Sequence, residues 1–315
     1  MEIPMNKIIT LTLNPAFDIH CFAENFKPFH ENLAKITDRD ASGKGVNISR
    51  ALNRTNVENL AFLVFGDENK ESFEQGLAAD RINYRSVTVP GRIRENITVH
   101  TNGADETRIS FAGFTADSSL LSAVEKELAS EIDSHTVITF TGRAPDGINI
   151  ADIKKFLRGL EARGARIVVD SKSFSLKDII EVRPWLIKPN QEEISEYLCR
   201  PIDTFEQCVE AARELYGCGI ANVMISLGEK GALLVCGEGT FVARAPAIKA
   251  LSTIGAGDSS IAGFLAAAKD GEDADGCLCR AVSYGSAACM TEGTRPPRAE
   301  DIKVLREQVK AERIA

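Results

Sequence analysis

Short apolar, β-rich runs recur at residues 7–13, 60–65, 137–140, 166–170, 185–188 and 222–227, and most are followed by a longer segment with helical spacing. Parallel neighbours in a sheet need such crossovers, so the alternation predicts an α/β fold whose mainly parallel sheet is covered by helices. Between 149 and 163, Ile150, Ile153, Phe156, Leu157 and Leu160 share one helical stripe, and Gly164 is placed to end the helix.

The alternation breaks between Arg92 and Phe114. Two stretches of period two flank Asn102, Gly103 and Asp105, which predicts a β-hairpin carrying Ile97, Val99 and Thr101 against Ile109 and Phe111. Its apolar face must rest on the main domain or on another subunit. Segment 17–37 also lacks helical periodicity. Together, residues 14–38 and 88–114 read as a small β lid made by two excursions from the sheet. No repeat or low-complexity linker interrupts the 315 residues, so the expectation is a single domain over 1–315 with the lid inserted in it.

Composition narrows the class without naming a chemistry. Apolar types make up 44% and charged types 26%, as in soluble globular proteins. The formal charge is 37 − 45 = −8, which argues against a general nucleic-acid or anionic-membrane surface, so an anionic ligand must be caught locally. No apolar run approaches the length of a membrane span. Eight scattered cysteines and a start without a signal-peptide pattern predict a reduced, cytoplasmic protein. Cys277 and Cys279 lack a CxxC or histidine partner, and the four histidines have no metal-like spacing.

The strongest local signal is Ser252-Thr253-Ile254-Gly255-Ala256-Gly257-Asp258, which opens a helix. Gly255 and Gly257 remove side-chain bulk where helix-start amides meet an anion, and Ala256 adds little. Asp258 lies at the rim of those amides, placed to accept a proton from a hydroxyl attacking a phosphoryl group. The same text also reads as an ordinary N-cap with turn glycines. No GxxxxGK[ST] loop, protein-kinase catalytic loop or strand-linked GxGxxG is present to offer another nucleotide site.

In six ordered motifs the chain resembles the PfkB (ribokinase-like) carbohydrate kinases, within them the 1-phosphofructokinase and tagatose-6-phosphate kinase branch. The motifs are Thr10 to Asp18 (TLTLNPAFD), Gly43 to Asn47 (GKGVN), Lys188-Pro189-Asn190 with Glu193, Ser226-Leu227-Gly228 with Gly231-Ala232, Thr253 to Asp258, and Gly285 to Ala288. The resemblance implies a ribokinase-like three-layer sandwich with a β-sheet lid, and a kinase that uses ATP and Mg2+. It leaves a K+ requirement open. Asp18 is then expected to bind sugar hydroxyls. Gly43, Lys44 and Asn47, at another helix start, are expected to hold sugar phosphate or hydroxyls. Arg94 and Asn96, which share a strand face, and Arg108 on the partner strand are expected to cover a phosphorylated sugar. Asn190 and Glu193 would organise magnesium through water, while Ser226, Gly228, Gly231 and Ser286 would line the nucleotide side. Ordinary structural readings stand beside these: a turn cap for Asp18, a solvated Lys44, an edge charge for each arginine, a capping pair for Asn190 and Glu193, and a tight turn at Ser226.

Two departures stand out. Thr141-Gly142-Arg143-Ala144-Pro145 replaces the relatives' Ser-Gly-Ser-Leu-Pro, so Arg143 stands where a small hydroxyl is usual; a guanidinium there adds a phosphate contact or fills the pocket. Ser42 precedes Gly43 where Gly or Ala is common, a change that keeps a small residue. The expected reaction is ATP-dependent phosphorylation of fructose 1-phosphate to fructose 1,6-bisphosphate, with Asp258 as general base. Alternatives are tagatose 6-phosphate or fructose 6-phosphate as substrate, a silent sugar-phosphate-binding protein, and a kinase of nucleosides or unphosphorylated sugars. A homodimer through the lid is the expected assembly.

Overall fold

The computed structural model describes residues 5–102 and 106–314. Its strands, in chain order, are β1 (Lys7–Thr12), β2 (Ala16–Phe22), β3 (Lys35–Ser42), β4 (Leu60–Gly66), β5 (Tyr84–Val89), β6 (Arg94–His100), β7 (Glu106–Ser110), β8 (Thr136–Thr141), β9 (Arg166–Asp170), β10 (Leu186–Ile187), β11 (Asn222–Ser226), β12 (Ala232–Cys236), β13 (Gly239–Ala243) and β14 (Ala311–Ile314). Ten form one sheet in the order β14-β13-β12-β11-β10-β9-β8-β1-β4-β5. It is parallel from β5 to β11, and antiparallel where β12, β13 and β14 are added at one edge.

Alternate strand residues are buried on opposite faces. Ile8, Val137, Val168 and Met224 join the core beneath helices Lys44–Arg54, Ala256–Lys269 and Ala274–Cys289. Ile9, Leu11, Ile138, Phe140, Ile167, Val169 and Ile225 pack under the helices of the other face, among them Ile150–Ala162 with its Asn149 cap. Helices Ala256–Lys269 and Ala274–Cys289 approach so closely that a Cβ on Gly263 would stand 2.5 Å from the Arg280 carbonyl oxygen. This contact fixes the helix that carries Asp258 against its neighbour, Ala274–Cys289.

The lid is a separate four-stranded sheet, β3-β2-β6-β7. Its boundaries differ from those expected: β3 runs to Ser42, and β5 belongs to the main sheet, pairing with β4 through Val89. Of the hairpin turn, Gly103 and Asp105 lie outside the described residues. The base of the lid is anchored to the main domain. Phe17 packs edge-on against Phe73 at 5.2 Å, in a cluster with Ile19, Cys21, Phe65, Leu77 and Ile93. Farther out on the same face Ile36, Ile109 and Phe111 are exposed.

Candidate active site

A cleft of about 1080 Å³ lies between the lid and the carboxyl ends of the parallel strands, where open α/β sheets place their ligands. The main sheet contributes Asp170, the last residue of β9, Lys188 just beyond β10, and Ser226, the last residue of β11. Two helices point their starts into it, Lys44–Arg54 and Ala256–Lys269.

Both helix starts are bare. Gly43 and Gly255 are the N-caps, with φ +143° and +78°, and neither end has a side-chain cap. The capping reading of Asp258 is therefore corrected: its carboxylate accepts from Asn47 Nδ2 at 3.0 Å and leaves the amides of its own helix uncapped. A Cβ on Gly255 would meet nothing within 4 Å, so open space lies beside this amide cluster. At Gly257 a Cβ would come 3.0 Å from Lys188 Nζ, and glycine is what lets that ammonium rest against the helix start.

Asp258 is 6% exposed, and burial pushes its carboxyl up to about 6, with the Asp170 charge adding to the rise; Lys44, Asn47 and Lys188 oppose it. Lys44 donates instead to Asp170 Oδ2 at 2.7 Å. Burial alone would lower the Lys44 ammonium, yet Asp170, Asp258 and Glu193 hold it above its ordinary value. Burial likewise disfavours ionised Asp170, but Lys188, Lys44 and Lys172 overcome that and keep it below the carboxylate range. The outcome is one buried carboxylate that stays ionised beside another poised near neutrality.

On the lid side, Asp18 and Asn96 are directly paired across β2 and β6. Asn96 Nδ2 donates to Asp18 Oδ1 at 2.8 Å, and Arg94 Nη1 donates to Asn96 Oδ1 at 2.9 Å, an aligned polar row that lines the cleft. Burial and the neighbouring Arg143 guanidinium push Arg94 below its usual value, and its Nε is buried without a hydrogen-bond partner. Arg143 is exposed in the turn after β8, near enough to act on Arg94 but not itself lining the cleft. Arg108 stands apart. The register sets it opposite Thr98, two positions farther out than Asn96, where it is exposed and paired with Glu106 and does not line the cleft.

On the other side lie Asn190, Glu193, Ser226, Gly228, Gly231 and Ser286. Gly231 has φ +103°, and a Cβ there would fall 2.0 Å from the Ala243 carbonyl oxygen, so only glycine makes this turn. Asn190 Oδ1 accepts from the Glu193 amide at 2.7 Å, and Glu193 Oε2 accepts from the Asn190 amide at 3.0 Å, a reciprocal capping box. The other oxygen, Glu193 Oε1, stands 3.7 Å from Lys172 Nζ.

Asp170 and Lys188 were not singled out as site residues from the sequence. Their signal was position: each follows a parallel strand at its carboxyl end, where a polar residue has no packing reason to be.

A model of the pfkB family of carbohydrate kinases matches residues 14–301. The chain belongs to that family. This ATP-dependent carbohydrate kinase is 30% identical over 259 residues to 1-phosphofructokinase of Escherichia coli (strain K12), covering 82% of the chain and 83% of the relative. It is 29% identical to 1-phosphofructokinase of Bacillus subtilis (strain 168), covering 98% and 100%. The structure of phosphofructokinase-2 from Escherichia coli in complex with fructose-6-phosphate superposes with a TM-score of 0.89 at 25% identity, covering 96% of the kinase and 99% of that chain. The ribokinase-like fold expected from the motifs is thereby confirmed.

Proposed function

We propose that this kinase transfers the γ-phosphoryl group of ATP to a free hydroxyl of a ketohexose phosphate, first of all fructose 1-phosphate, giving fructose 1,6-bisphosphate. The observation that carries the reading is Asp258: a buried carboxylate, raised to about 6, beside an uncapped helix start with open space in front of it. A hydroxyl oxygen docked there forms its bond to the γ-phosphorus, its proton passes to Asp258, and the bond to the leaving ADP oxygen breaks. Amides of Ile254 to Gly257 hold charge on the moving group, so positioning and electrostatics supply most of the catalysis.

Asp18, Asn96 and Arg94 with Lys44 and Asn47 bind the sugar phosphate in this reading, and Arg143 adds a second guanidinium near its phosphate. Ser226, Gly228, Gly231 and Ser286 face the nucleotide. Glu193 with Asn190 would hold a magnesium ion through water: Glu193 Oε1 lies outside the capping box, while the single side-chain oxygen of Asn190 already accepts from the Glu193 amide. When bound with the nucleotide, magnesium neutralises phosphate charge. The choice of fructose 1-phosphate rests on the 1-phosphofructokinase relatives. Fructose 6-phosphate is the second reading, favoured by the likeness to phosphofructokinase-2 in complex with that sugar. The exposed apolar strip of the lid favours a lid-to-lid homodimer.

Coupled ADP release with ATP and magnesium, compared by kcat/KM across fructose 1-phosphate, fructose 6-phosphate, tagatose 6-phosphate, fructose and ribose, tests the substrate. A preference for an unphosphorylated sugar overturns the class, and binding without ADP release makes the protein a silent receptor.

A further inference from the structure

Asp170 is a buried carboxylate to which the proposed chemistry gives no task. It ends β9 at 7% exposure, with Lys44, Lys188 and Lys172 around it. Among the described residues its one short ion pair is with Lys44, Nζ to Oδ2 at 2.7 Å. Lys44 and Asn47 are three residues apart at a helix start, so they share a side of that helix. The structure divides them between two carboxylates: the ammonium goes to Asp170 and the neutral amide of Asn47 goes to Asp258. Lys44 is nonetheless within electrostatic range of Asp258.

We propose that Asp170 is a positioning residue that tethers Lys44 on the phosphate-binding side of the cleft and so keeps its ammonium off Asp258, leaving that carboxylate free to accept the hydroxyl proton. The inference rests on Asp258 being the base. A carboxylate locked against an ammonium is a weak base, whereas one that meets only Asn47 takes up a proton readily. Tethering also aims Lys44 at an incoming phosphoryl or sugar oxygen. The charged groups facing Asp258 are Lys44 from the helix Lys44–Arg54, Asp170 from the end of β9 and Lys188 from beyond β10, with Asn47 as its neutral donor.

The test is the pH dependence of kcat, with KM for the sugar phosphate, in the wild type, Asp170→Asn, Lys44→Met and the double variant. With Asp170 neutralised, Lys44 turns to Asp258, so the acid limb of kcat should move about one pH unit lower and kcat at pH 8 should fall roughly tenfold, with KM raised. In the Lys44→Met background the same substitution should move the limb clearly less than it does with Lys44 present, because only the direct loss of the Asp170 charge then acts on Asp258. The double variant leaves no unpaired Lys44 ammonium, so that comparison holds even if Asp170→Asn alone fails to fold. An unmoved limb in Asp170→Asn, or a shift as large without Lys44 as with it, overturns the proposal. An acid limb that persists in Asp258→Asn instead overturns the base assignment beneath it.

Discussion

Asn47 Nδ2 lies 3.0 Å from Asp258 Oδ2, joining the first turns of two cleft helices that are 211 residues apart in sequence. The amide is oriented from behind by Ser42, whose Oγ donates to Asn47 Oδ1 at 3.4 Å, which gives the serine found before Gly43 a contact that glycine or alanine cannot make. A donor to the ionised form favours it, so Asn47→Ala should raise Asp258 above its value of about 6. In the proposed reaction the base is active ionised: activity should fall as pH drops through that value, and losing the amide should move this limb about one unit higher, a hydrogen bond to charge being worth about 1.5–3 kcal/mol. At pH 7 kcat then drops about twofold, more below it, and recovers by pH 9. A limb that stays in place would remove Asn47 from the control of the base.

Asp258 itself sets function against stability. Its folded value of about 6 lies above the ordinary 3.8, so between those values the folded state binds more protons than the unfolded one. Stability therefore declines as pH rises through that window, and the loss is complete above it. Asp258→Asn should lift the melting temperature at pH 8 by an amount equivalent to about 1–3 kcal/mol, with the gain gone near pH 4. Turnover should fall roughly 10²- to 10⁴-fold with KM much less changed. Scanning calorimetry at the two pH values, together with steady-state kinetics, checks both halves; a variant less stable at pH 8 contradicts the account of its burial.

The parallel strands were legible in the sequence because both faces of this sheet are covered, so each strand is a short unbroken apolar run; 60–65 and 166–170 were placed almost to the residue. The antiparallel edge, β12 to β14, was not anticipated: no crossover helix separates its first two strands, and β14 has no buried residue to mark it. Arg108 keeps to the face of Arg94 and Asn96, as alternation predicts, and only the register, which a single strand's pattern does not reveal, shows how far along that face it stands. Asp170 and Lys188 were passed over because the charge cluster is gathered from the ends of separate strands, and no local spacing records that they meet Lys44 and Gly257.

Arg143 stands in the turn after β8, near Arg94 at the lid side of the cleft. It lies close enough to weaken the Arg94 proton affinity, and the Nε of Arg94 has no protein partner. Two cations held near each other are relieved by an anion between them, and a phosphate monoester supplies one. Arg143→Ser should therefore raise KM for the sugar phosphate about 10- to 100-fold, kcat changing far less, and leave any turnover of unphosphorylated fructose unaltered. A lower KM in the serine variant would mean that Arg143 obstructs the pocket.

Gly257→Ala separates folding from catalysis at the other side of the cleft. The added methyl would stand 3.0 Å from Lys188 Nζ and 3.3 Å from its Cε, the far end of a flexible side chain that can yield. Alanine also favours a helical position by about 1 kcal/mol over glycine. The variant should fold at least as well as the wild type, yet lose roughly tenfold or more in kcat/KM for ATP, because the ammonium is pushed from the amide cluster where the phosphoryl group is received. Unchanged kinetics would mean that Lys188 needs no fixed place against this helix.

The lid's outer surface carries the last prediction. Ile36 on β3, Ile109 on β7 and Phe111 just beyond it are 60%, 45% and 49% exposed. Cys21 pairs with Ile36, and Ile97 pairs with Ile109, so these side chains extend the face whose inner half is buried on Phe73 and Leu77. Both strands are open edges of the sheet, β7 exposed at every residue, and an apolar strip along unpaired edges is what a second copy covers in a two-fold arrangement. Ile36→Glu with Ile109→Glu places two carboxylates per chain in that strip, and sedimentation velocity should turn from dimer to monomer at micromolar concentration. Because both positions lie away from the cleft lining, the circular dichroism spectrum should be retained. A wild-type protein that sediments as a monomer, or a double variant that remains a dimer, would place the interface elsewhere.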